Sequence, residues 1–325
     1  MASKIQEEGI ILPDQHGLRL DQAAAELFPD FSRSRLQTWI RGGALRVDGQ
    51  QLRPRDRVTE GSILSLNAEL EDEVAWKGED IALDLVFEDE SIIVLNKPAG
   101  LVVHPAAGHQ QGTLVNAVLN HAPDLSQLPR GGIVHRLDKD TSGLMVVAKT
   151  LQAHSHLVDQ LQERTVKREY AAVCVGAMTG GGRVEANIGR HPRDRKKQAV
   201  LAVGGKPAIT HYRVAQRFAH HTHITVNLET GRTHQIRVHM AHLHYPLIGD
   251  PAYGGRPRLP KGAAQPLIEI LQRFPRQALH ARALGLIHPQ SKEPMQWEVP
   301  LPADLLQLLE VLTTYDREAR PDEAY

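Results

Sequence analysis

His135, Arg136 and Asp138 place an imidazole, a guanidinium and a carboxylate inside one short turn, Gly132-Ile-Val-His-Arg-Leu-Asp-Lys-Asp-Thr-Ser-Gly-Leu144. Apolar residues run into the turn, and Leu-Met-Val-Val resumes after Ser142-Gly143. A polar turn between two strand-like runs is a reactive loop pinned by rigid elements. A carboxylate in such a turn can act as a nucleophile or a general base. That applies to Asp138 and to Asp140 alike, although the commoner use of a loop aspartate is to close an Asx turn. An apolar strand leading into Asp-x-Asp-x-Ser also resembles an aspartyl-phosphate loop, but the alternating strand–helix units and extra acidic pair of such phosphotransferases are not visible.

A second candidate is Leu228-Glu-Thr-Gly-Arg-Thr-His-Gln-Ile-Arg-Val-His-Met240. Here a strand ends, Thr-Gly turns the chain and a helix begins, with Ile236, Met240 and Leu243 as its apolar stripe. Arg237 lies beside that stripe and needs a carboxylate if it is interior, for which Asp138 is the attractive partner; a surface arginine lying along the helix is the alternative. Tyr170 opens a strand in Lys167-Arg-Glu-Tyr170 and shares a face with Ala172 and Cys174, as a core tyrosine or as a base-stacking one. The histidines, among them His220, His221, His223, His234, His239, His242 and His244, lack the paired spacing with Cys or acidic ligands that a metal site needs. Arg190-His-Pro-Arg-Asp-Arg-Lys-Lys197 is a basic loop, either solvated or gripping RNA.

The elements that must hold these residues form two domains. The chain's 325 residues suffice for two cores, and 41% hydrophobic with 23% charged residues is ordinary for a globular protein. Residues 1–16 read as loosely ordered. A helix follows through Leu20, Ala23, Ala24 and Leu27, then a second one capped by Ser32 and ended by Gly42-Gly43, then two short strands. This gives a small N-terminal α/β module over 17–80, whose last part, 67–80, is an acidic linker. The catalytic domain, 81–315, has clear strands at Ile92–Leu95, Leu144–Ala148, Tyr170–Val175 and Thr222–Leu228, and helices at 113–121, 151–164, 234–243 and 303–314. Strands and helices do not alternate strictly, so the fold class is α+β, around a mixed, largely antiparallel sheet with flanking helices. Residues 316–325 are a charged, frayed tail.

The 38 basic and 38 acidic side chains cancel, yet they are segregated. Seven arginines, Arg33, Arg35, Arg41, Arg46, Arg53, Arg55 and Arg57, face only Asp48 and Asp56 in that stretch, whereas Glu69 to Glu90 holds ten acids and one Lys. Such a local positive field favours phosphate contacts over mere solubility, with a solvated charged face as the alternative. The single cysteine, Cys174, excludes an intrachain disulfide framework. No apolar run approaches membrane-spanning length and the first residues lack a signal-peptide core, so a soluble cytoplasmic protein without membrane contact is expected.

At this point the motifs resemble a family. His135-Arg-Leu-Asp-Lys-Asp-Thr-Ser-Gly143 resembles the signature of the RluA-type pseudouridine synthases. Asn96-Lys-Pro-Ala-Gly-Leu-Val-Val-His-Pro105, Lys167-Arg-Glu-Tyr170, Gly205-Lys-Pro-Ala208, Gly231-Arg-Thr-His-Gln-Ile-Arg-Val-His239 and Gly249-Asp-Pro-Ala-Tyr-Gly254 resemble its other motifs, in order, over 83–315. The N-terminal module resembles the RNA-binding fold of ribosomal small-subunit protein four. Phe28-Pro-Asp-Phe-Ser-Arg-Ser-Arg35 and Gly254-Gly-Arg-Pro-Arg258 are similar to the subtype acting on the large ribosomal subunit. The resemblance implies catalytic positions at Asp138, Tyr170 and Arg237, with Asp140 set aside because relatives vary there. It implies substrate-binding positions at Arg136, which holds the flipped base, and at His135, Arg232 and His234. RNA binding falls on Arg33, Arg35, Arg41 and Arg46. A central RNA cleft, a 23S rRNA substrate on the pre-ribosomal large subunit, a monomer, and neither cofactor nor metal are also implied. An RNA-binding assembly factor whose modifying activity is secondary is the rival.

Overall fold

The computed structural model describes residues 3–29, 31, 33–70, 76–105, 111–194 and 196–319. The chain divides into two compact units, Met1–Ala75 and Trp76–Tyr325.

In the smaller unit β1 (Ser3–Ile10), α1 (Leu20–Leu27), α2 (Arg33–Gly42), β2 (Leu45–Val47) and β3 (Ile63–Leu70) form a three-stranded sheet, ordered β1-β3-β2, beneath two helices. Leu20, Ala23 and Ala24 of α1 and Leu36 and Ile40 of α2 close on Leu45, Leu64 and Leu66. Two expectations fail here. Residues 3–10 are not loose, because β1 pairs with β3 along its whole length. A run of Gln and Glu hides this strand, which is secured by its partner more than by its own apolar pattern. Residues 67–70 are likewise not linker but the end of β3. Ser32, expected to cap α2, lies outside the described residues, as do 71–75 of the expected linker and 320–325 of the tail.

The larger unit runs β4 (Leu85–Glu88), β5 (Ile92–Lys97), α3 (Leu114–His121), β6 (Ser142–Ala148), α4 (Leu151–Gln162), β7 (Lys167–Val175), β8 (Gly182–Arg190), β9 (Gln198–Val200), β10 (Lys206–Arg217), β11 (His221–Leu228), α5 (Gln235–His242), α6 (Gln265–Arg273), β12 (Leu279–Ile287), β13 (Pro294–Glu298) and α7 (Ala303–Ala319). Its strands make one sheet, ordered β4-β5-β6-β12-β7-β11-β10-β8-β9, with β13 on β12. Among the described strands only β6 and β12 pair in parallel, so the sheet is mixed and largely antiparallel.

Strands with both faces covered read as continuous apolar runs, and β5 and β6 are buried on both. Ile93, Leu95, Met145 and Val147 meet α3 on one face, while Ile92, Val94, Leu144 and Val146 meet Leu157 of α4 on the other. Beyond β7, α6 and α7 cover the second face through Leu267, Leu271, Leu305 and Leu308.

The sheet forks at β12. Its contact with β6 is confined to His280–Ser142 and Ala281–Gly143, and β13 then takes that side from Ala283 onward. Gly143 makes the close approach possible: its φ is 118°, and a Cβ there would sit 2.2 Å from the Ala281 carbonyl oxygen. The Asp138 turn enters the sheet at this fork. Among the described residues no helix is long and apolar enough to cross a membrane.

Candidate active site

Arg237 of α5 brings the parts together. Its Nη1 donates to Asp138 Oδ2 at 2.9 Å, while Nε and Nη2 donate to Asp250 at 2.7 and 2.9 Å. Asp250 is buried, and its Oδ1 also accepts the N–H groups of Ala252 and Tyr253. The guanidinium stacks 5.1 Å from the centre of the Tyr253 ring. Burial alone would pull Arg237 down, but the two carboxylates outweigh it and hold the charge above its ordinary range. Asp138 is 15% exposed; its Oδ2 is tied to a permanent cation, and among the described residues its Oδ1 accepts no hydrogen bond, so this oxygen is left open.

That open oxygen, Oδ1, faces His234 Nε2 at 3.9 Å. His234 caps α5 with φ 57° and ψ 22°, a left-handed conformation that only surrounding contacts can hold. Gln235 supplies them. Buried itself, it accepts from Thr230 Oγ1 and the Arg232 N–H and donates to the Ile209 carbonyl. The Tyr253 hydroxyl accepts the Gln198 N–H at 2.9 Å and lies 2.8 Å from His234 Nδ1. Tyr253 thus fixes the ring of His234 through Nδ1, with Nε2 turned toward Asp138. Burial lowers the His234 pKa and the nearby Asp138 charge offsets this only in part, so the ring is neutral near pH 7.

The turn carrying Asp138 is clamped at its backbone. Lys97, fully buried, donates Nζ to the carbonyls of Pro98, Leu101 and Lys139 at 2.8, 2.9 and 3.0 Å. Gly100 also donates its N–H to the Lys139 carbonyl. Arg276, locked onto Asp304, reaches the Asp140 carbonyl at 3.3 Å, and Gln277 donates to Thr141 Oγ1. Desolvation brings the Lys97 ammonium down to about 8, against the upward pull of Asp140 and Asp138.

Tyr170 lies buried on β7, opposite Ala281 of β12 and Val226 of β11, beside the fork. Burial raises its hydroxyl pKa, Arg168 opposes that rise and Asp138 adds to it. Arg136 is exposed. His135 is spent on the sheet: its Nε2 accepts the Val146 N–H at 3.0 Å, and burial pushes its pKa down to about 3, so it is a neutral plug on β6. Arg232 donates to the Pro207 carbonyl. In the smaller unit Arg33 is paired with the buried Asp21 at 2.9 Å, Arg41 with Gln37 and Arg46 with the Gly43 carbonyl, while Arg35 stacks 5.9 Å from the Trp39 ring centre.

The structure thus gathers Asp138, His234 and Arg237 into one cluster with Tyr170 close by, and turns His135 and Arg232 to other partners. Sequence reasoning missed Asp250, Tyr253, Lys97 and Gln235. The first two stand in Gly249-Asp-Pro-Ala-Tyr-Gly254 and Lys97 in Asn96-Lys-Pro, motifs noticed without any role being read into their side chains. Among the described residues no three of His, Cys, Asp or Glu come together as metal ligands would.

The chain has known relatives. A family model described as RNA pseudouridylate synthase matches residues 91–242, and one described as S4 domain matches residues 18–64. The chain is 59% identical over 319 residues to a Pseudomonas aeruginosa protein named ribosomal large subunit pseudouridine synthase D, covering 98% of this chain and 99% of the relative. It is 52% identical over 324 residues, 99% of each, to an Escherichia coli O6:H1 protein of the same name. The solved structure of human RNA pseudouridylate synthase domain containing 4 shares the fold, with a TM-score of 0.55 at 24% identity over 71% of this chain and 93% of that one. The chain belongs to the RNA pseudouridylate synthase family and is an RNA pseudouridine synthase, an isomerase.

Proposed function

We propose that this enzyme isomerises uridines in the 23S rRNA of the large ribosomal subunit, in the helix 69 stem-loop, acting as a cytoplasmic monomer on the pre-ribosomal particle. The names of its full-length relatives support the large-subunit substrate. The reading of the site rests on one observation, the half-open Asp138 carboxylate held by Arg237 at 2.9 Å. The small unit's arginines that are not spent internally add sequence-independent affinity for phosphates.

In this reading the uridine leaves its stem at a cost of a few kcal/mol. Arg136, free at the surface, occupies the vacated space or holds the extruded nucleotide. Tyr170 stacks on uracil. Asp138 then attacks the ribose C1′ or removes the C2′ proton. Either way the C1′–N1 bond breaks and uracil rotates. C5 bonds to C1′ as the Asp138–C1′ bond breaks on the first route or as the proton returns from Asp138 to C2′ on the second, the C5 proton passes to solvent, and N1 takes up a proton. Atoms balance without a co-reactant. Arg237 holds Asp138 and aims it, and Asp250 keeps Arg237 in place.

The test is Asp138→Asn on RNA carrying 5-tritiated uridine. Tritium release should vanish while RNA affinity is retained. Normal release by the variant would sink the assignment. Pseudouridine mapping in 23S rRNA from a deletion strain tests the target: loss of the modification outside helix 69 alone would redirect it.

A further inference from the structure

Arg168, Arg237 and Arg276 of the larger unit are nearly inaccessible, at 7%, 6% and 5% exposure. A guanidinium cannot shed its proton, so burying one without a counter-charge costs several kcal/mol. Arg237 meets the cost with a two-bond grip on Asp250, and Arg276 with one on Asp304. Arg168 differs. Among the described residues its guanidinium makes one hydrogen bond, from Nη2 to the Glu229 carbonyl at 3.1 Å. Among those residues its Nε is buried with no acceptor, and no carboxylate pairs with it.

The place of this unpaired charge is informative. Arg168 lies two residues before Tyr170 on β7, so both side chains leave the same face of the strand. Its one bond fixes the residue that opens the turn into His234. Gly231 of that turn makes room for it, since a Cβ there would stand 2.8 Å from Arg168 Nη1. A charge kept uncompensated beside the uridine pocket is matched when substrate arrives. Uracil and ribose are neutral, and the negative charge of RNA lies on its phosphates. Guanidinium and phosphate have matching hydrogen-bond geometry.

We propose that Arg168 is a substrate-binding residue that takes a phosphate oxygen of the RNA backbone at the target nucleotide. This rests on the reading that Asp138 and Tyr170 face that nucleotide.

The experiment compares wild type, Arg168→Met and Arg168→Lys on a short stem-loop RNA, unmodified or with a neutral methylphosphonate at the phosphate 5′ or 3′ of the target uridine. Arg168→Met should lower kcat/KM by about 10- to 100-fold, the worth of one charged hydrogen bond, and Arg168→Lys should recover part of it. Methylphosphonate at one of the two positions should cost wild type a similar factor and cost Arg168→Met little more. Penalties that multiply independently at both positions overturn the proposal, and so does a wild type indifferent to both, whether or not the variants fold. Melting gives a second readout. Removing an uncompensated buried charge should leave Arg168→Met as stable as wild type or more so. A lower melting temperature with unchanged RNA affinity would mean that Arg168 only holds the Glu229 carbonyl. Tritium release by Asp138→Asn would defeat the underlying site reading instead, leaving the Arg168–phosphate coupling to be judged on affinity.

Discussion

Asp250→Asn is the sharpest perturbation of the cluster, because it changes one atom and removes one charge. Asp250 accepts four hydrogen bonds, from Arg237 Nε and Nη2 and from the N–H groups of Ala252 and Tyr253. Asparagine can keep its single oxygen on the two backbone N–H groups, so the turn survives. Its amide then presents N–H to Arg237 Nε, donor against donor, and the buried guanidinium loses its closer carboxylate. Breaking a buried pair by removing one partner costs about 3–5 kcal/mol. At roughly 2–4 °C per kcal/mol for a unit of this size, melting should fall by about 6–20 °C. The chemistry should suffer separately. Arg237 is left with Asp138 as its only acid, swings toward it, and engages the oxygen that now stands open. A loss of about 10- to 100-fold in kcat, 1.4–2.8 kcal/mol of barrier, should follow with RNA affinity nearly unchanged. Thermal melts and single-turnover tritium release at 25 °C read the two effects independently. A variant that melts early but turns over normally would show that Asp250 braces the fold without aiming Arg237, and that would refute the argument.

Three further outcomes are expected. Lys97, brought down to about 8 by burial, should give wild type a fall in kcat as pH rises through that value, because a neutral amine has two hydrogens for three carbonyls. Its contribution to stability rises over the same window, between about 8 and its unfolded value of 10.5, so unfolding does not explain the fall, and Lys97→Met should lack that limb of the profile. Gly143→Ala should cost more than about 4 kcal/mol in denaturant unfolding, because its Cβ meets backbone oxygen at 2.2 Å, whereas Gly255→Ala, with φ 69° and nothing within 4 Å, should cost only about 1 kcal/mol. Deleting residues 1–75, which spares Trp76 and the Lys77 carbonyl that Asn116 holds, should weaken RNA binding and flatten its dependence on salt; an unchanged salt slope would remove the small unit from RNA recognition.

How far the sequence could be read depended on whether a residue's demand was local. An arginine beside the apolar stripe of α5 must find a carboxylate, so the Arg237–Asp138 pair could be anticipated across 99 positions. Asp250 sends no such signal, because an aspartate before proline in a Gly-rich loop satisfies every local rule as a turn former. His135 misled for the opposite reason: it looks available for substrate, and only the fork in the sheet shows that the Val146 N–H would otherwise go unpaired. Helices with long stripes, α3, α4 and α7, were legible. α6 was not, since its buried stripe is Leu267 and Leu271 alone and it begins beside Pro266. The strand order was beyond reach, because β12 enters between β6 and β7 from more than a hundred residues away, and pairing at such distance leaves no periodic trace.

The charges of the cluster explain why its parts had to come from such distant segments. Arg237 and Asp250 form a closed, buried pair and cancel. Asp138 shares that same cation without cancelling it, so one net negative charge remains, on a carboxylate whose Oδ1 faces His234 Nε2 at 3.9 Å. Among the described residues no acid is paired with Arg136 at the surface or with Arg168, and the Lys97 ammonium holds only backbone carbonyls. The free protein therefore holds one unspent negative charge where the sugar must react and unspent positive charges where a backbone must bind. In a water-poor site such preorganised charges need no rearrangement when the substrate enters. A cluster built from neighbouring residues could not remain so unbalanced, because flexible side chains on one turn would pair with each other. Setting Asp138 on a clamped turn and Arg168 on a strand keeps these two apart until RNA brings the opposing charges.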